Sequence, residues 1–227
     1  GENKGIYVMD ENYTEALSVK NNRTEGIYVR FGTDIIFYWK GSRSEDKEDP
    51  ESDTMYQFIL HGCCGADDLL QATNIDTLNQ QINLNKKNEI IKNFNIAKRL
   101  LEDLRTNKKK PEEIFNLDLM AKGFALSDLL DSWHAMHWIN MRWYYDPLTM
   151  KLEPVIDDNY DETTTYANKY RIMRIADSYN YSLLYDGLFK SKIFLEKYIY
   201  YLNKYSNPEF VKNFNNKIKE DFDTNLS

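Results

Sequence analysis

Apolar residues along this chain recur with two different periods, and the period changes part of the way along. In the first part they come in short runs of β-branched and aromatic residues, at 6–9, 27–31 and 35–39. Runs of that length and character predict strands. Gly32-Thr33-Asp34 between the second and third predicts a hairpin turn. The segment 41–53 is rich in Ser, Glu, Asp and Lys and holds Pro50, which predicts a solvated flexible loop.

Beyond that loop the helical period takes over. A short apolar helix is expected at 55–61. Over 87–105, Ile90, Ile91, Phe94, Ala97, Leu100, Leu101 and Leu104 recur at the spacing of one buried helical face. Asn116 is a capping residue for a helix starting at Leu117, and Asp118 is favourably placed in its first turn. That helix is expected to turn Leu119, Met120, Phe124, Leu129 and Leu130 to the core and to end near Asp131. Two apolar alternations, at 141–145 and 151–156, flank Asp146-Pro147-Leu148-Thr149, the pattern of a β-hairpin. A polar stretch after Asp161 leads to C-terminal helices. The segment 190–205 is amphipathic through Ile193, Phe194, Tyr198, Tyr201 and Leu202. Asn207-Pro208-Glu209 starts another helix, with a capping Asn and Pro at the first helical position. The fold class that follows is α+β.

Composition narrows this picture. The chain has 227 residues, enough for a single domain with a real core. Hydrophobic residues at 42% and charged residues at 29% are ordinary for a folded protein, so disorder of the whole chain is not expected. A formal net charge of -7 argues against general nucleic-acid binding, which needs a basic surface. Lys108-Lys109-Lys110 is too short a run to reverse that and reads as a solvated helix end or loop. No apolar run approaches the roughly 20 residues of a transmembrane helix. The chain begins just before a strand-like run with no secretory signal ahead of it, which is expected of a piece of a longer protein. Cys63 and Cys64 are adjacent, so a structural disulfide framework is not expected. Most of the 17 Tyr fall at helix-face spacing and read as core-edge residues with a wet hydroxyl.

Polar residues with chemical potential gather around the hairpin. Asp131, His134, His137 and Asn140 follow the Leu117 helix, while Asp157, Asp158, Asn159 and Asp161 follow the hairpin. A helix end succeeded by a hairpin that ends in acids would bring the two sets together. Phosphoryl transfer uses such a set: one carboxylate orients the attacking hydroxyl, while an Asn and a second carboxylate hold Mg²⁺. The same residues also suit a polar turn and a helix cap. His134 and His137 are three apart, but a pair of His without a clear third ligand is a weak zinc pattern.

The stretch from Asp131-Ser132-Trp133-His134 through Asn140-Met141-Arg142-Trp143-Tyr144 to Asp146-Pro147-Leu148-Thr149 and Glu153-Pro154-Val155-Ile156-Asp157-Asp158 resembles the core of the CotH family, the spore-coat-protein-H-like atypical protein kinases. Upstream, Gly5-Ile6-Tyr7-Val8-Met9-Asp10-Glu11 is similar to that family's Gly-x-Tyr-x-x-x-Glu strand. Asn21-Asn22-Arg23-Thr24-Glu25-Gly26 resembles a segment of its longer bacterial members, and 188–214 has the family's look. The resemblance implies a protein-kinase-like fold: a few N-terminal antiparallel strands, then a mainly helical lobe with an inserted β-hairpin. It implies that 1–227 is the C-terminal portion of such a domain, the lobe with the phosphate-binding Lys preceding Glu11.

Residue roles follow from the same resemblance. Asp131 is the implied catalytic Asp, with His134 as the alternative occupant of that place. Asn140 and Asp158 are the implied Mg²⁺ ligands, and Glu11 and Asp157 the implied nucleotide-side residues. The chain departs from many family members in carrying Asp157 where they have Trp. The expected function is Mg-ATP-dependent phosphorylation of Ser or Thr on a partner protein, in an exported or cell-envelope setting. The alternatives are a non-catalytic surface or envelope scaffold on the same fold, and a metal-dependent hydrolase using His134, His137 and Asp158.

Overall fold

Ile27–Phe31 forms a strand, β1, in the computed structural model of the chain, over the residues whose apolar pattern predicts it. The structure describes residues 20–21, 23, 26–32, 75–77, 87–130, 132, 136, 140–156 and 183–226. The strands expected at 6–9 and 35–39, the loop at 41–53, the helix at 55–61 and the Cys63-Cys64 pair lie outside them.

Both edges of β1 are paired. On one side is β2 (Ile75–Thr77), antiparallel, with Val29 opposite Thr77 and Phe31 opposite Ile75. On the other is β3 (Arg142–Asp146), also antiparallel, with Ile27 opposite Tyr145 and Val29 opposite Trp143. The hairpin strand β4 (Lys151–Val155) completes a sheet of order β2-β1-β3-β4. The hairpin therefore extends the sheet that β1 begins. Its turn is held by Asp146, whose carboxylate accepts from the Leu148 amide at 3.0 Å and the Thr149 hydroxyl at 2.8 Å. Met150 closes the loop with a φ of 56°, a left-handed conformation that its sequence does not announce.

The period-2 alternation sorts the sheet into two faces. Ile27, Val29, Phe31, Trp143, Tyr145 and Leu152 fill the face that helices cover, and all are buried. The helices are α1 (Lys87–Arg105), α2 (Pro111–Ile114), α3 (Leu117–Leu129), α4 (Leu183–Lys190), α5 (Lys192–Tyr205) and α6 (Pro208–Leu226). Helix α1 touches β1, β2 and β4, α3 touches β4, and α5 packs along α3. The Phe124, Phe189, Phe194 and Tyr198 rings interlock between them in edge-on and stacked pairs, 5.3 to 6.1 Å apart. Over the described residues the architecture is thus mixed α+β, a small antiparallel sheet with mostly helices. No helix among them is long and apolar enough to cross a membrane.

Local signals place the helix ends. Asn116 caps α3 by accepting from the Leu119 amide at 3.4 Å, Ser191 caps α5 through Phe194, and Asn207 accepts from Glu209 at 2.9 Å. The buried faces are narrower than counting apolar residues suggests. Ile91 is 44% exposed, and Leu129 and Leu130 lie outside the core. At about 100° per residue, each sits more than 100° round from the centre of the buried stripe on its helix. Ile193 is exposed for the same reason, whereas the polar Asn93 is buried on the inner side of α1.

Candidate functional site

The open end of the hairpin holds Asn140, the expected site residue that falls among the described residues. Asn140, half-buried, stands in the turn that enters β3, and its carbonyl accepts from Arg142 Nη1. Arg142 pairs with Val155 across the hairpin, so the exit of β4 lies beside the entry of β3. Ile156, the next residue, lies against the middle of α3. A Cβ on Gly123 would stand 2.7 Å from Ile156 Cδ1 and 3.7 Å from Met136 Cε. Gly123 is therefore the hole in α3 into which the end of the hairpin settles. Helix α3 runs on from there to Leu129, so the residue that leaves β4 rests on the middle of that helix.

Of the residues expected to act, Asn140 is described. Glu11, Asp131, His134, His137, Asp157, Asp158, Asn159 and Asp161 lie outside the described residues. Among the described residues no cluster of three or more His, Cys, Asp or Glu is arranged to hold a metal.

Beside this end, on the sheet face turned away from the helices, is a polar group that the hydrophobic pattern does not reveal. Tyr28, Tyr144 and Glu153 stand opposite one another on β1, β3 and β4. All three are buried, Glu153 at 3% exposure. Its Oε1 accepts from Asn116 Nδ2 at 3.0 Å. Its Oε2 forms an ion pair with Arg23 Nη2 at 2.7 Å. The Arg23 guanidinium also lies over the Tyr144 ring, 5.9 Å from its centre, within cation–π range. The Tyr28 and Tyr144 rings are 5.3 Å apart and tilted. A cavity of about 270 Å³ opens here, bordered by Arg23, Tyr28, Tyr144, Glu153 and Ile156. Alternation along β4 would leave Glu153 solvated with Lys151. It is buried because Arg23 and Asn116 arrive from elsewhere in the chain, and a period-2 reading contains no trace of them.

The approach of Arg23 also explains Gly26. A Cβ there would lie 2.1 Å from the Tyr145 carbonyl oxygen and 2.5 Å from the Tyr144 ring. The chain passes so close over β3 that a side chain cannot be accommodated.

A second polar junction joins α3 to α5. The Asp118 carboxylate accepts from Tyr201 Oη at 2.9 Å, Lys197 Nζ at 3.1 Å and Lys122 Nζ at 3.0 Å. Burial alone would raise its pKa, but these donors outweigh it and hold the carboxyl at about 2. Tyr201 is correspondingly pushed up, by burial first and by Asp118 second. Nearer the other end of α3, the buried Tyr198 hydroxyl donates to Asp128, and burial together with that carboxylate keeps the phenol protonated. Every donor in these two junctions faces a partner on the same pair of helices, so they act as struts.

No protein-family model matches the chain, and no curated protein or solved structure matches it either.

Proposed function

We propose that this chain is the C-terminal portion of a CotH-like atypical protein kinase domain, with a protein-kinase-like fold, that transfers phosphate from Mg-ATP to Ser or Thr of a partner protein. The observation that carries the reading is the order and spacing of its motifs. Asp131 is followed by Asn140, an aromatic strand, an Asp-Pro turn, Glu153-Pro154 and Asp158. A supporting fact is that the hairpin forms over this stretch, with Asn140 at its root and its exit seated on α3.

Asn140 and Asp158 supply hard oxygen donors, the type Mg²⁺ takes, so the residues fit the ion. Mg²⁺ bound there supplies neutralisation of phosphate charge. Asp131, or His134 in its place, orients the acceptor hydroxyl and takes its proton. Glu11 and Asp157 face the nucleotide. Catalysis on this reading is mostly positioning and electrostatics, so removing a metal ligand is more damaging than altering the surrounding surface.

A thermal-shift titration of the full-length protein with Mg-ATP tests the binding half. The reading expects a Mg-dependent rise in melting temperature that Asp158→Ala abolishes. Asp157 in a place where many family members carry Trp favours a second reading, a scaffold that keeps the fold without the chemistry. That reading expects no shift with Mg-ATP in either protein.

A further inference from the structure

Glu153 is an expensive residue to bury. A carboxylate at 3% exposure loses most of its hydration, and an ion pair seldom returns more than that loss. A valine or threonine would fit the middle of a strand at no such cost. Buried pairs of this sort are best attested where they fix one arrangement among several. The partners of Glu153 show what is being fixed. Asn116 Nδ2 binds one oxygen while the Asn116 Oδ1 caps α3, so β4 is tied to the start of that helix. The Asn116 amide reinforces this by donating to the Leu152 carbonyl at 2.9 Å. Arg23 binds the other oxygen and lies over Tyr144, so the segment that leads into β1 is tied to the hairpin. Gly26 permits the close pass that brings Arg23 there. Three segments distant in sequence therefore meet at one side chain, two strand positions before Val155 and three residues before Ile156.

We infer that Glu153 is a positioning residue, and that with Arg23 and Asn116 it forms a clasp fixing the N-terminal segment and α3 against the hairpin so that the phosphate-transfer groups meet. The inference rests on the kinase reading above. Arg23 follows Glu11 by a dozen positions, Asn116 opens the helix after which Asp131 comes in sequence, and Glu153 lies on β4, whose last residue, Val155, pairs with Arg142 and comes three positions before Asp158 in sequence. The clasp includes none of these groups. It acts by holding their supports, as outer partners do for metal ligands, where loss of one typically costs 10- to 100-fold.

The test uses the full-length protein and compares wild type with Glu153→Gln, Arg23→Met, Arg23→Lys and the Glu153→Gln/Arg23→Met double variant. Glutamine keeps the acceptor for Asn116 and removes the charge. Both single losses are expected to raise the KM for Mg-ATP by about tenfold, with a smaller change in kcat. The double variant is expected to match the singles, because both break one contact. Arg23→Lys is expected to recover much of the loss. Hydrogen exchange is expected to accelerate at the amides of β1 in the variants that lose the pair. A merely structural role would lower kcat in proportion to the folded fraction and leave KM unchanged, and that result would overturn the inference. So would wild-type constants in Glu153→Gln. A wild-type protein that transfers no phosphate refutes the kinase reading itself, and is recognised before any variant is made.

Discussion

Replacing Asp118 by Asn removes the charge at the α3–α5 junction while keeping the side chain's shape. Three donors converge on that carboxylate, from Tyr201, Lys197 and Lys122. Together they hold its pKa at about 2 against 3.8 for the free side chain. Converted directly, that difference is at most about 2.5 kcal/mol of native-state stability. The carboxylate is 39% exposed, so solvent screens part of it. A loss of about 1 kcal/mol is the reasoned figure for Asp118→Asn at neutral pH. The pKa is depressed on folding, so the contribution is fully present above the unfolded value near 4 and is lost as pH falls through about 2. Urea unfolding of both proteins at a series of pH values from 2 to 7 reads this directly. The gap between them is expected to be near 1 kcal/mol at pH 7 and to close towards pH 2. A gap that does not change with pH, or no gap at all, would refute the view that charge strengthens this junction.

Other perturbations are expected to act on different parts of the fold. Leu101 is fully buried on α1, and Leu101→Ala is expected to cost about 2–5 kcal/mol by urea unfolding, through the cavity it leaves. Tyr198→Phe removes the donor to Asp128 without changing the ring packing, and is expected to cost about 1–3 kcal/mol in the same assay. Gly26→Ala forces a Cβ to within 2.1 Å of a backbone oxygen, so a loss of about 2 kcal/mol or more is expected, and a neutral result would contradict the described path of the chain.

The elements that sequence reveals here are those whose signals are local. Strand β1, helix α1, the Asn116 cap, the hairpin and the Asn207-Pro208 helix start all form where periodicity and capping residues place them. Ile75–Thr77 does not stand out, because three residues are too few to display a period. The order β2-β1-β3-β4 joins segments far apart in the chain, and no local pattern encodes such pairing. Leu129 and Leu130 mislead because hydrophobicity alone does not carry the angle around the helix. The site divides in the same way. The position of Asn140 at the entry to β3 is legible from its place before an aromatic strand, and its role in the chemistry is part of the proposal. Glu153 is not, since its burial depends on Arg23 and Asn116, which reach it from 130 and 37 positions away.

Transfer of the γ-phosphate from labelled ATP by the full-length protein, with and without Mg²⁺, tests the central claim most directly. The account predicts Mg-dependent label on Ser or Thr, reduced by about a hundredfold or more in Asn140→Ala and in Asp158→Ala, both of which remain folded. Label that appears without Mg²⁺, or that persists undiminished in both variants, would contradict it.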